Sequence, residues 1–136
     1  MDNKELIKKA LEAKEKAYVP YSSYHVGAAL ITEDNEVYTG CNIEIASYSP
    51  TLCAERTAIF KAVSEGHLKV KTIAIVGDSS FTYPCGVCRQ VIREFGKDAK
   101  IIIANSEDEY KEYTLDELLP HSFGPEDLKN ANENKK

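Results

Sequence analysis

Val70-Lys71-Thr72-Ile73-Ala74-Ile75-Val76 is apolar at five of seven positions and rich in branched residues, which reads as a strand buried on both faces. The polar loop Asp78–Pro84 follows it. Gly86–Phe95 then has helical spacing and ends at Gly96, and Ile101–Ala104 is again an apolar strand. Strand, helix and strand in that order predict a parallel pair joined by a right-handed crossover. Upstream, Val26–Ile31 and Val37–Cys41 read as two strands joined by the polar turn Glu33-Asp34-Asn35-Glu36, an antiparallel hairpin. Two helices complete this half: Lys4–Tyr18, with Leu6, Ile7, Ala10, Leu11 and Ala17 on one side and Pro20 as its stop, and Cys53–Ser64, stopped by Gly66. Downstream, Tyr110–Tyr113 predicts a short strand and Leu115–Leu119 a short helix. The fold class is therefore α/β, one catalytic domain over residues 1–124, with 125–136 expected as a polar tail that does not pack.

The 136 residues, 43% hydrophobic and 29% charged, suit one globular domain. Apolar runs fall far short of the ~20 residues that cross a bilayer, so no membrane partner is expected. Met1–Tyr18 lacks the apolar middle of a secretory signal, which predicts a cytoplasmic protein. The net charge is −5 and the cationic residues are scattered, an arrangement that disfavours a nucleic-acid polymer as partner. In a cytoplasmic chain, cysteines are metal ligands or reactive thiols before they are disulfides.

Three of the four cysteines stand at the starts of predicted helices, in Cys53-Ala54-Glu55 and Pro84-Cys85-Gly86-Val87-Cys88. Cys-x-x-Cys alone also occurs in redox proteins and structural zinc knuckles. Three thiolates, however, leave the fourth corner of tetrahedral Zn²⁺ open for water, whereas a structural site fills all four. Order and spacing match the zinc deaminase signature, His-x-Glu followed by Pro-Cys-x-x-Cys, with Cys53 in the place of histidine. On that reading Cys53, Cys85 and Cys88 are the zinc ligands and Glu55, not a ligand, is the catalytic acid–base. Three sulfurs leave the site with excess negative charge, so helix N-termini and a guanidinium, Arg56 in preference to Arg89, are expected beside them. Cys41 reads as a core thiol, and His25, His67 and His121 lack partners at metal spacing.

Pro20-Tyr21-Ser22, Val26-Gly27-Ala28-Ala29-Leu30, Gly40-Cys41-Asn42-Ile43-Glu44, Cys53-Ala54-Glu55-Arg56-Thr57-Ala58 and Pro84 to Gln90 together resemble the successive motifs of the small homotetrameric cytidine deaminases, over residues 18–124. The resemblance implies a three-layer α/β/α fold with a mixed five-stranded sheet, one Zn²⁺ per subunit, and active sites completed by neighbouring subunits. It also implies hydrolytic deamination of cytidine and 2′-deoxycytidine in pyrimidine salvage. It assigns substrate contacts to Asn42 and Glu44 at the ribose, to Tyr24 and Ala54 near the pyrimidine, and to Phe123 reaching into a neighbour's site. Tyr24 stands where the family commonly has phenylalanine, and Ile45 where it often has asparagine after Asn-Ile-Glu. Open alternatives are a deaminase for blasticidin S, for a nucleotide or for RNA, a structural zinc module, and a thiol redox protein.

Overall fold

The computed structural model describes residues 1–134, with side chains to residue 129. Its elements are α1 (Asn3–Lys14), β1 (Val26–Thr32), β2 (Val37–Cys41), α2 (Ala54–Ser64), β3 (Val70–Gly77), α3 (Gly86–Phe95), β4 (Lys100–Ser106), β5 (Glu109–Thr114), α4 (Leu115–Leu118) and α5 (Pro125–Asn134). The five strands form one sheet in the order β2-β1-β3-β4-β5. Only the β3–β4 pair is parallel, Ile73 opposite Ile101 and Ile75 opposite Ile103, and it is the pair that α3 connects. β1 runs antiparallel to both β2 and β3, and β5 antiparallel to β4.

Alternation along the strands sends side chains into two cores. On one face Ala29, Ala74, Val76, Ile102 and Ala104 pack against Leu6, Ile7 and Ala10 of α1. On the other, Leu30, Ile73, Ile75, Ile101 and Ile103 pack against Ala58, Ile59 and Ala62 of α2 and Ile92 of α3. The result is the expected α/β/α sandwich with a mixed sheet. α2 lies close over β2 because residue 40 is glycine: a Cβ there would sit 2.5 Å from the Ala58 nitrogen and 2.6 Å from the Ala54 carbonyl oxygen. That close approach sets the depth at which the first turn of α2 enters the site.

Two boundaries differ from expectation. α1, capped by the Asp2 side chain, ends at Lys14 and not at Tyr18. The backbone of Tyr18 is instead taken by the strand-like bridge to Ile43: its N–H donates to the Asn42 carbonyl (3.0 Å) and its carbonyl accepts from Glu44 N–H (2.9 Å). The C-terminal segment, although polar, is helical from Pro125 and is held to α3 by Arg93. The Arg93 guanidinium donates to Ser122 Oγ (2.8 Å) and to Glu126 Oε2 (2.9 Å), with the Arg93 side chain only 8% exposed. A buried charge needs a partner, and the expected tail supplies it. Among the described residues no helix is long and apolar enough to cross a membrane.

Candidate metal centre and substrate cleft

Cys53 is the N-cap of α2 and Cys85 the N-cap of α3, and neither uses its side chain to cap its helix. Cys88 lies one turn into α3 and is fully buried. The loops that end β2 and β3 therefore bring both helix starts together, with the three sulfurs within 4.8 Å of one another and the Cys53 and Cys85 sulfurs 3.7 Å apart. A tetrahedral ion with metal–sulfur bonds of about 2.3 Å spaces its sulfurs by about 3.8 Å. The Cys53–Cys85 spacing matches Zn²⁺, and the third sulfur lies close enough to complete the set. The charge distribution fits too. The hydrogen bond from the Cys88 thiol, helped by Arg56 and Cys85, holds Cys53 down to about 5, while the same sharing with Cys53, and burial, push Cys88 up. Sulfurs this close share one negative charge readily but not three. A divalent cation at their centre removes that restriction.

Glu55 occupies the first turn of α2 and is 3% exposed. Burial above all, with the Cys53 charge adding to it, raises its carboxyl to about 7. A carboxyl poised there can take up and release a proton near neutrality. Arg56 Nη2 donates to Cys53 Sγ at 3.5 Å and approaches the Thr51 carbonyl oxygen at 3.4 Å. Arg89 has other duties: its Nε donates to the Pro84 carbonyl (2.8 Å) and its Nη1 to the Leu118 carbonyl (2.6 Å). Of the two arginines it is Arg56 whose guanidinium reaches the Cys53 sulfur. A cleft of about 130 Å³ opens beside them, lined by Val26, Asn42, Cys53, Ala54, Glu55, Thr82, Tyr83 and Cys85.

Residues 1–105 match the family model for the cytidine and deoxycytidylate deaminase zinc-binding region. The chain belongs to this family. A cytidine deaminase of Halalkalibacterium halodurans is 51% identical over 130 residues, covering 94% of this chain and 98% of the relative. One from Sporosarcina psychrophila is 49% identical over 135 residues, 98% and 99% of the two chains. Among solved structures, the cytidine deaminase of Burkholderia pseudomallei superposes with a TM-score of 0.86 at 43% identity, over 90% of this chain and all of its own.

The other residues expected to contact substrate in this deaminase fall into two groups. Asn42 and Ala54 line the cleft, beside Glu55. Asn42 has its amide engaged at both ends, Oδ1 accepting from Val26 N–H (2.9 Å) and Nδ2 donating to the Tyr24 carbonyl (2.8 Å). Glu44 Oε1 accepts from the N–H groups of Tyr21 and Ser22, both at 3.0 Å, and these bonds, that of Ser22 foremost, lower its carboxyl below the ordinary range. Tyr24 is not among the lining residues; its hydroxyl is bonded to Thr82, which is. Phe123 is 57% exposed and lies outside the cleft of its own chain, its carbonyl accepting from Gln90 Nε2 at 2.8 Å. Cys41 donates to the Lys16 carbonyl and His25 and His67 bond to Asp78 and Asp34, all away from the three sulfurs. Sequence reasoning missed Thr82 and Tyr83. The available signal was topological: they belong to the loop leaving the carboxyl end of β3, where open α/β sheets bind ligands.

Proposed function

We propose that the chain catalyses hydrolytic deamination of free cytidine and 2′-deoxycytidine, giving uridine or 2′-deoxyuridine and ammonia. The observation that carries this reading is a buried carboxyl poised near neutrality, Glu55, beside three sulfurs at zinc spacing. Cys53, Cys85 and Cys88 would hold the ion. Zinc, when bound, supplies a Lewis acid that brings a water's pKa from 15.7 to about 7. Glu55 accepts a proton from the water that adds to C4 and delivers it to N3. It then carries the second proton to the exocyclic nitrogen, so that the C4–N bond breaks and ammonia leaves. Arg56, together with the N-termini of α2 and α3, draws charge from the sulfurs, which would otherwise weaken the ion as an acid.

Asn42 and Glu44 stand at the mouth on the ribose side in this reading, and Tyr24 behind the pyrimidine side. Active sites shared within a homotetramer are supported by the size of the cleft, about 130 Å³, against the roughly 300 Å³ at which small-molecule pockets begin. The exposure of Phe123, Phe60 and Val87 leaves apolar surface for neighbouring copies to cover. All four cysteines are free, a state that the cytoplasm maintains, and the reading places the enzyme there.

The test is ammonia release from cytidine, 2′-deoxycytidine, cytosine, CMP and blasticidin S, before and after zinc removal, with native mass measured alongside. Cytidine and deoxycytidine should dominate, activity should follow zinc content, and the mass should be that of four chains. Dominant turnover of CMP or blasticidin S would overturn the choice of substrate. A Glu55→Ala protein as active as the parent would remove Glu55 from the proton transfers, and a parent that holds zinc yet releases ammonia from none of the five would be only a structural zinc module.

A further inference from the structure

Three hydroxyl groups meet behind the cleft. The Tyr24 hydroxyl lies 2.7 Å from Thr82 Oγ1 and 2.5 Å from Ser79 Oγ, and those two oxygens are 3.1 Å apart. Three hydroxyls arranged as a triangle can each donate once and accept once, a closed cycle that leaves no proton unused. Tyr24 oxygen has a second lone pair, and the Ser79 backbone N–H donates to it at 3.2 Å. The phenol thus gathers the loop between β3 and α3 through side chain and backbone together.

The loop is shaped to be gathered in this way. Residue 77, the last of β3, is glycine, and a Cβ there would fall 2.0 Å from Thr82 Oγ1 and 2.7 Å from its Cβ. Thr82 folds back onto the end of its own strand only because that side chain is absent. Its neighbour Tyr83 is held from the other edge of the sheet, the Tyr83 and Tyr113 hydroxyls being 2.7 Å apart with their rings edge to face. Thr82 and Tyr83 form the cleft wall beside Ala54 and Glu55. Tyr24 is itself fixed from the opposite wall, because Asn42 Nδ2 donates to its carbonyl.

We propose that Tyr24 is a positioning residue for substrate: its hydroxyl, acting through Ser79 and Thr82, sets the wall against which the pyrimidine is held. The proposal rests on the nucleoside reading of the cleft. It separates the hydroxyl from the ring of Tyr24 and assigns the hydroxyl a role in binding, with no part in proton transfer. The proton shuttle, Glu55, lies on α2 and shares no hydrogen bond with the triangle.

The decisive experiment compares Tyr24→Phe, Thr82→Val and the double variant, recording kcat and KM for cytidine, the Kd of uridine by calorimetry, and amide hydrogen exchange across residues 78–84. Each single variant should raise KM and the uridine Kd by roughly three- to tenfold, the worth of one or two hydrogen bonds. Their kcat should stay within about twofold, and the loop amides should exchange faster. Because both changes break the same cycle, the double variant should be no worse than the weaker-binding single one. Gly77→Ala, which deletes no hydroxyl but drives Thr82 Oγ1 out of the triangle, should reproduce the KM effect. Unchanged KM and uridine affinity in Tyr24→Phe, with only a lower Tm, would reduce the triangle to a stabilising contact and overturn the proposal. So would a fall in kcat at constant KM. Failure of the parent protein to bind or deaminate any nucleoside would instead sink the reading of the cleft, and the two failures are distinguishable.

Discussion

The two sides of the cleft are built on opposite plans. On the sulfur side the polar groups are turned toward one another and not to the backbone: two helices start at cysteines whose side chains make no cap bond, and Arg56 Nε is buried with no hydrogen-bond partner among the described residues. On the side of Asn42 and Glu44 the polar groups are consumed by the chain itself, Asn42 by Val26 and Tyr24, Glu44 by Tyr21 and Ser22. Buried groups without partners cost free energy, and such a cost persists where a ligand removes it. The sulfur side is therefore organised around an ion, and the side of Asn42 and Glu44 around its own backbone.

The largest effects should come from breaking the first plan. Cys88→Ala removes the most buried of the three sulfurs and should abolish both stoichiometric zinc and measurable turnover; metal analysis of the purified protein decides this. Glu55→Gln should keep the zinc and lower kcat by roughly 10²–10⁴-fold, the usual worth of a positioned acid–base group. Zinc lost together with activity in Glu55→Gln would make it a ligand. Arg56→Ala should weaken zinc binding by roughly 10–100-fold, as removal of groups that support metal ligands commonly does. An unchanged zinc Kd in a competition assay would exclude Arg56 from the site.

Breaking the second plan should have smaller and mixed consequences. Asn42→Ala deletes two hydrogen bonds that hold the start of β1, each worth about 1 kcal/mol, so Tm should fall by several degrees. If Asn42 also reaches the ribose, KM should rise for cytidine and not for cytosine. Equal effects on both substrates would confine Asn42 to the scaffold.

How far each side was legible follows from the same contrast. Metal chemistry needs particular residue types at particular spacings, and Cys53, Glu55, Pro84, Cys85 and Cys88 display both without any fold in hand. The strands of the central sheet were equally open to reading, because Ile73, Ile75, Ile101 and Ile103 are apolar on a pattern that solvent imposes. The hydrogen bonds of Asn42 and Glu44 were not, since an amide or a carboxylate bonds to whichever backbone the fold brings near. For the same reason the helical periodicity of residues 4–18 ran past the true end of α1: the competing bridge from Tyr18 to Ile43 lies 25 positions along the chain. Arg93 was invisible as the anchor of residues 122–126 because its partner Glu126 sits in a segment whose composition argues against packing.

The smallest effect concerns the frame of the side that carries Asn42 and Tyr24. Asp78, the residue after β3, accepts at Oδ2 from the His25 backbone N–H (2.7 Å) and faces His25 Nδ1 (3.0 Å), while its Oδ1 pairs with Lys14 (3.1 Å). It thereby ties α1 and the start of β1 to the loop that carries Ser79 and Thr82. The hydrogen bonds from His25, first that of its backbone, with the Lys14 contact, lower the Asp78 carboxyl from 3.8 to about 2. A carboxyl depressed by folding contributes stability that is complete above its unfolded value and is lost as the pH falls through its folded value. The Tm difference between the parent and Asp78→Asn should thus be constant from neutrality to about pH 4, then shrink as the pH approaches 2. Measuring both proteins at each pH removes by subtraction the contribution of titrating groups that do not touch Asp78. Lys14 and Asp78 are both partly exposed, so added salt should narrow the gap at neutral pH without moving its acid limit. A gap that persists undiminished at pH 2 would show that Asp78 holds its loop by shape alone, and the asymmetry between the two sides of the cleft would then owe nothing to charge at this corner.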